Sequence, residues 1–352
     1  MSATMRAAML RGREDVAIVD VPVPAPGPGE IVLRVEAALT CGTDAKVFRR
    51  GYHARMLAPP CLFGHEYTGI VEAAGASVTG FREGDPVVGA NSAPCGVCEW
   101  CKGGRESLCD DLMFVNGAFA ERLLLPERIV RRNLHHRFPG LAPVVAAATE
   151  PVACVLKGIE TVVPQSGESA LLLGSGPVAL VFAAALRARG IASVLFARNA
   201  DVAAVATRMG VEKCVAAASV AAARPELLAA SPGGRGFHLV VEAAGAAETS
   251  EAAPTLCRKG GRALLFGGCP GDARVTVDPS RLHYDEVQIL SSFHHTPRHV
   301  EAALDELTTG RLRIEPLLEA PVGLDGVPDA LRRMCRRELR GKVPVLPGGV
   351  TK

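Results

Sequence analysis

Four cysteines fall in one short segment: Cys95, Cys98, Cys101 and Cys109 stand in CGVCEWCKGGRESLC at C-x2-C-x2-C-x7-C spacing. Thiolates bind zinc tetrahedrally, and two-residue steps let backbone turns aim successive sulfurs at one ion. Buried or redox cysteines also use C-x2-C steps. Four in one run, in a chain with 11 cysteines in all, favour a closed structural zinc site. Four thiolates leave no coordination position open, so such a lobe holds a loop in shape and does no chemistry.

A second set of candidate ligands is dispersed. Cys41-Gly42-Thr43-Asp44 and Gly64-His65-Glu66 precede the cysteine run, and Glu150-Pro151 follows it. Thiolate, imidazole and carboxylate are the ligand types of a catalytic zinc, which keeps a position free for water or substrate. Taken singly, each residue has an ordinary explanation: Cys41 in the core, His65 satisfied in a turn, Glu150 at a helix N-terminus.

A third pattern, Gly174-Ser175-Gly176-Pro177-Val178-Ala179, matches G-x-G-x-x-A directly after the apolar run 170–173 and opens a segment of helical period, 178–189. Its glycines permit a tight turn and close approach of a pyrophosphate to the helix N-terminus, which reads as dinucleotide binding. The next short strand, 193–197, ends at Ala197-Arg198-Asn199 without the carboxylate that would hold the ribose 2′-hydroxyl of NAD. A guanidinium there pairs with a 2′-phosphate. NADP is therefore expected over NAD, with Arg198 and Asn199 near the phosphate; the plainer reading makes Arg198 a solvated surface residue.

The elements that must position these residues change character after Glu150. Before it, VAIVDVPV, IVLRVEAALT and TGIVEAAGASV read as short β segments bounded by Gly and Pro, with VPVPAPGPGE as a rigid surface turn. After it, the β–turn–α–β order signals a parallel sheet with crossover helices. Further strands are expected at 213–215, 238–242, 263–266 and 287–290, giving a six-stranded doubly wound sheet. A final helix at 299–308 and a short β-like end at 342–346 complete the reading.

At 352 residues, with 48% hydrophobic and 22% charged content, the chain suits two domains of a soluble globular enzyme. A net charge of +2 provides no basic field for nucleic acid or a membrane surface. Residues 1–15 have no sustained apolar segment ahead of their charges, so no secretory leader is expected. LAPVVAAATEPVACVL is too short and too broken by Pro143, Glu150 and Pro151 to span a bilayer. Clustered metal-type cysteines without an extracellular signature point to the reducing cytoplasm.

CGTD, GHEYTG, the four-cysteine lobe, the EP step and GSGPVA, taken in this order, resemble the zinc-containing medium-chain alcohol and polyol dehydrogenases over essentially the whole chain. Within that family the EP step at Glu150 is similar to the sorbitol and threonine dehydrogenase branch, where animal-type alcohol dehydrogenases have a cysteine ligand. The resemblance implies an α/β protein with a GroES-like, β-rich catalytic domain (1–155, with 292–352 returning to it) interrupted by a Rossmann domain (156–291). It implies a homodimer or homotetramer and two zinc ions per chain, one structural and one catalytic. Carried over by position, Cys41, His65 and Glu150 would bind the catalytic zinc, and Glu66 would be a neighbouring or exchangeable ligand. Thr43 would relay the proton as hydride passes to the nicotinamide. Gly174, Gly176, Pro177, Val178 and Ala179 would seat the cofactor.

The chain departs from the family pattern at two places. A histidine often found five residues after the zinc cysteine is Lys46 here, with His53 either a substitute or a plain surface residue. Where polyol relatives place cleft-lining arginine and tyrosine, this chain has Phe293-His294-His295-Thr296. His294 and His295 are thus candidate substrate contacts, or else they cap the next helix or meet solvent. The expected activity is zinc-dependent transfer of a hydride between NADP(H) and a secondary alcohol or ketone of a polyol, cyclitol, sugar-derived or amino-alcohol substrate. The alternatives are a zinc-ribbon binding protein, which the charge disfavours, and a non-catalytic family member.

Overall fold

The computed structural model describes residues 3–53 and 55–349. The chain divides into two compact units: one runs to Ala153 and takes back His295–Gly310 and the segment from Leu318, and the other comprises Cys154–His294 with Arg311–Leu317.

The first unit is built on antiparallel strands. Strands β1 (Thr4–Gly12) and β2 (Asp15–Pro22) form a hairpin, and the proline-rich turn leads to β3 (Ile31–Leu39). Helix α1 (Gly42–Arg50) starts three residues past β3, and β4 (Cys61–Leu62) pairs with β1. Strands β5 (Glu66–Ala74) and β6 (Pro86–Gly89) follow, then the two-residue β7 (Ser92–Ala93). The cysteine run, with α2 (Glu99–Lys102) inside it, lies between β7 and its antiparallel partner β8 (Met113–Phe114). Next come β9 (Arg122–Leu125), α3 (Glu127–Asn133), β10 (Leu134–His136), α4 (Pro143–Ala146) and α5 (Thr149–Val162), within which the unit boundary falls. Ile31, Leu33 and Val35 alternate along β3 and are buried with Phe63 and Phe119, whose rings meet edge to face at 6.0 Å. This interior positions the strand ends that matter below.

The second unit is the anticipated doubly wound sheet. Its elements are β11 (Ser169–Leu173), α6 (Pro177–Arg187), β12 (Ala192–Ala197), α7 (Ala203–Arg208), β13 (Lys213–Ala216), α8 (Val220–Ala229), β14 (Phe237–Glu242), α9 (Ala247–Leu256), β15 (Cys257–Leu265), α10 (Pro279–Tyr284) and β16 (Gln288–Ser291). All six strands are parallel in the order β13-β12-β11-β14-β15-β16. The order reverses between β11 and β14, and such a switch point opens a crevice at the carboxyl ends of those strands.

The chain then returns to the first unit through α11 (Pro297–Thr308), α12 (Val327–Cys335) and β17 (Pro344–Val345), which pairs with β3 through Pro344 and Leu39. The expected helix at 299–308 is therefore not the last. Helix α12 buries only Val327, Ala330 and Leu331 against α1 and hides its short apolar stripe among arginines. No helix among the described residues is long and apolar enough to cross a membrane.

Gly69, in the middle of β5, touches the neighbouring strand so closely that a Cβ there would lie 2.3 Å from the Arg34 carbonyl oxygen. Gly69→Val should therefore force β3 and β5 apart and cost about 1–3 kcal/mol or more. A thermal melt unchanged from the parent would contradict this account of the sheet.

Candidate functional site

β3 runs antiparallel to β5, and β5 to β6, so the end of β3, the start of β5 and the end of β6 share one edge of the sheet. The register, Leu39 opposite Glu66 and Tyr67 opposite Gly89, makes the three ends level. Cys41 lies two residues past β3, His65 immediately before β5, and Glu66 opens β5. Their ligand atoms all lie within 4.8 Å of one another.

Local structure holds this group in place. Cys41 is the N-cap of α1: the Thr43 N–H donates to its Sγ at 3.5 Å, and its own N–H donates to Asp44 Oδ2 at 2.8 Å. The other oxygen of the buried Asp44 lies 3.0 Å from His65 Nδ1. A histidine that donates one ring N–H to a carboxylate presents the other nitrogen as a ligand, which is how metal-binding histidines are oriented. Burial pulls the His65 pKa down, but the charge and hydrogen bond of Asp44, with Cys41, hold it well above its ordinary value. Burial pushes the Cys41 thiol up, and Lys342 with His65 more than reverses this, bringing it down to about 7.

Lys342, which the sequence marks only as the start of the β-like end, is 2% exposed and donates from Nζ to Glu66 Oε1 at 2.7 Å. Burial works against its charge, but Glu66 and Cys41 outweigh burial and raise its pKa. Glu66 Oε2 is buried with no hydrogen-bond partner among the described residues. Burial, with Cys41 and Glu150 nearby, pushes Glu66 well above the ordinary carboxylate range against the pull of Lys342 and His65, the mark of a group short of positive charge, and the donor set of sulfur, imidazole nitrogen and a spare carboxylate oxygen fits zinc.

Glu150 lies outside the Cys41-His65-Glu66 group, in the first turn of α5 and 6% exposed. Its charge nonetheless acts on both Glu66 and Lys342. His295 Nε2 lies 4.0 Å from Glu150 Oε1, and His295 is fully buried rather than in solvent. His294, held at φ 60°, belongs to the other unit, so the boundary separates the two candidate histidines. Thr43 is half-buried in the first turn of α1, and Lys46 is exposed on the same helix. His53 is no plain surface histidine: it is half-buried, and its Nδ1 accepts from the Arg55 and Met56 N–H groups at 3.2 and 3.1 Å.

In the cysteine lobe, Cys95 and Cys101 sulfurs stand 3.9 Å apart, as do those of Cys98 and Cys109. A tetrahedron with metal–sulfur bonds of about 2.3 Å has sulfur–sulfur edges of about 3.8 Å, so the four thiols are already spaced for one ion. N–H groups of Val97 and Cys98 donate to Cys95 Sγ and bring that thiol down to about 6.

In the second unit, Gly174 follows β11 at φ 121°, and a Cβ there would lie 2.9 Å from the Ala244 nitrogen, so only glycine fits the turn. Gly176 caps α6 without a side-chain bond, Pro177 opens the helix, and the space around Gly176 is open. Val178 and Ala179 continue the first turn of α6, which leaves backbone N–H groups facing the switch point. Glu242, also unforeseen, is fully buried at the end of β14 and accepts on Oε1 from the Ala244 and Gly245 N–H groups and the Thr249 hydroxyl. It braces the turn against which Gly174 packs. Arg198 is 48% exposed just past β12, 3.5 Å from Glu248, with Asn199 exposed beside it.

Residues 27–133 match the family model of the alcohol dehydrogenase GroES-like domain, and residues 177–309 match that of zinc-binding dehydrogenase. D-altritol 5-dehydrogenase of Agrobacterium fabrum is 35% identical over 83% of this chain and 84% of its own. The chain belongs to the zinc-binding medium-chain alcohol and polyol dehydrogenases. D-arabinitol dehydrogenase 1 of Uromyces fabae is 28% identical over 99% of this chain and 98% of its own. Among solved structures, a zinc-binding dehydrogenase of Sinorhizobium meliloti 1021, bound to NADP, superposes with a TM-score of 0.88 at 28% identity, covering 98% of this chain and all of that one. As a member of this family the chain is an alcohol or polyol dehydrogenase with a GroES-like and a Rossmann-like domain, which removes the zinc-ribbon binding protein as an alternative.

Lys342→Met should leave Glu66 buried beside Cys41 without its counter-charge, at a cost of about 3–5 kcal/mol. We expect a lower thermal midpoint in the metal-free protein, with added zinc restoring part of the loss because the ion replaces the missing positive charge. A metal-free variant as stable as the parent would refute this role for the pair.

Proposed function

We propose that this dehydrogenase oxidises and reduces, with NADP(H), a secondary alcohol that carries a neighbouring hydroxyl or amine. Polyols, cyclitols, sugar-derived alcohols and amino alcohols are the candidate substrates. The observation that carries the reading is the Cys41-His65-Glu66 group with its buried supports, Asp44 and Lys342. Cys41, His65 and either Glu66 or Glu150 would hold a catalytic zinc, and the four-cysteine lobe a structural one. Bound there, zinc supplies Lewis acidity toward the substrate oxygen, and a nicotinamide supplies the hydride acceptor.

The protein's own part is orientation and proton handling. Asp44 fixes the His65 ring and the start of α1 together. Thr43, beside Cys41 in that first turn, would accept the substrate hydroxyl proton on Oγ1 and pass it outward. His53, the histidine nearest in sequence, would receive it, while Lys46 as an ammonium could take it up only after losing a proton of its own. A carboxylate as third ligand, in place of a second thiolate, makes a harder, more polar donor set, suited to substrates with a second polar group. The altritol and arabinitol relatives are consistent with this class, and 11 cysteines without a disulfide suit a reducing, cytosolic setting.

Cofactor choice rests on Arg198. Arg198 pairs with Glu248, which is itself 41% exposed and also accepts from the Val220 N–H, so a 2′-phosphate would compete for the guanidinium on favourable terms. The NADP held by the Sinorhizobium relative supports the same choice. Arg198→Ala should weaken NADP about ten- to hundredfold, the equivalent of about 1.5–3 kcal/mol, and leave NAD nearly unchanged. Equal efficiency with both cofactors in the parent enzyme would overturn it.

Vicinal diols or amino alcohols should be turned over far better than ethanol or 2-propanol, because hydrogen-bonding sites reject analogues that lack a partner strongly. Glu150→Ala should reduce turnover severely and leave NADP binding intact. Best activity on long-chain primary alcohols, with Glu150→Ala fully active, would show both assignments to be wrong.

A further inference from the structure

Beyond the metal donors, the same sheet edge carries a polar feature with no role so far. β6 ends level with the start of β5, and Asn91 lies two residues past β6, as Cys41 lies two residues past β3. Asn91 is 1% exposed, and neither its Oδ1 nor its Nδ2 has a hydrogen-bond partner among the described residues. Buried amides are nearly always hydrogen-bonded, so one with both groups unmet calls for a ligand or an explanation.

A second asparagine adjoins it. The Val115 N–H donates to the Asn91 carbonyl at 2.7 Å, and the next residue, Asn116, donates from Nδ2 to the Met56 carbonyl at 3.2 Å. Asn116 Oδ1 is buried and unpartnered among the described residues, although Asn116 itself is partly exposed. The turn it touches is the one organised by His53, and the N–H of Gly117, next after Asn116, donates at 2.8 Å to the carbonyl of Gly64, next before His65. Two unmet acceptors and one unmet amide donor therefore lie along the edge that bears the metal donors.

We propose that Asn91 and Asn116 form a subsite that reads the hydroxyl next to the reacting carbinol. This rests on the dehydrogenase reading above and sharpens its substrate class. Both side chains are neutral, so they select a neutral partner. A hydroxyl is donor and acceptor at once and satisfies an amide oxygen and an amide N–H together. An ammonium group has no lone pair for Asn91 Nδ2 and would leave it unmet, so the subsite favours polyols over amino alcohols.

The test compares kcat/KM for 1,2-propanediol, a pentitol, 1-amino-2-propanol and 2-butanol in the metal-replete enzyme. The parent should prefer the diol and the pentitol to the other two. Asn91→Leu, close in size and shape, should lower the diol and pentitol values about ten- to hundredfold and leave 2-butanol within about twofold. Its thermal midpoint should not fall, since the amide removed has no protein partner. Asn116→Leu, at a less buried position, should shift the same ratio in the same direction and serves if Asn91→Leu fails to fold. An undiminished polyol preference in these variants overturns the subsite, as does a parent preference for the amino alcohol. Equal losses on all four compounds with a lowered midpoint also overturn it and make Asn91 structural. A parent with no preference for a second polar group over 2-butanol overturns the function proposed above, and the subsite with it.

Discussion

The catalytic unit depends on a lysine and a glutamate that have been taken out of water together. Lys342 and Glu66 lie 276 residues apart in sequence and meet at 2.7 Å where both are fully buried. Either charge alone in that interior would be prohibitive, since desolvation of an ion costs several kcal/mol. The pair also makes its neighbourhood tolerable for Cys41 and for the charge of Glu150. The return of the chain is what delivers the lysine: the Thr40 N–H donates to the Val343 carbonyl, the Val343 N–H donates to Thr40 Oγ1, and β17 closes onto β3. A terminal segment that looks peripheral therefore completes the electrostatics of the centre.

The same physical separation explains what could be read in advance. Cys41, His65 and the cysteine lobe are legible because metal ligands need particular atoms at particular short spacings, and the Gly174 turn because close backbone approach admits only glycine. Alternating apolar residues marked β3 and β5, and apolar runs marked the parallel strands. Lys342 was hidden because its partner is 276 residues away and nothing local distinguishes a buried lysine from a surface one; the one available signal was a charge opening the apolar run KVPVL. Asp44 and Glu242 act through backbone N–H groups and a ring nitrogen, contacts that composition does not record. Helix α12 escaped notice because three apolar contacts are enough to hold it while its other face is mostly arginine.

Each unit solves its task with strand ends. In the first, antiparallel pairing brings two ends and a beginning level, so that side chains from distant segments converge with little loop in between. In the second, parallel strands with a reversal of order leave backbone N–H groups at a helix N-terminus, and Glu242 fixes the adjoining turn by accepting from the Ala244 and Gly245 N–H groups. Side chains thus do the positioning at the metal donors, and backbone does it at the cofactor turn. Substrate selectivity then falls to the groups left unmet at the first edge.

The central claim is that Cys41, His65 and a carboxylate oxygen hold a metal distinct from the one held by the four-cysteine lobe. Zinc K-edge X-ray absorption fine structure of the metal-replete protein tests it most directly, with Cys41→Ser as the comparison. The account predicts two environments, one with four sulfurs and one with a single sulfur among nitrogen and oxygen ligands, the second being lost or deprived of sulfur in the variant. A four-sulfur environment alone, identical in parent and variant, would contradict it.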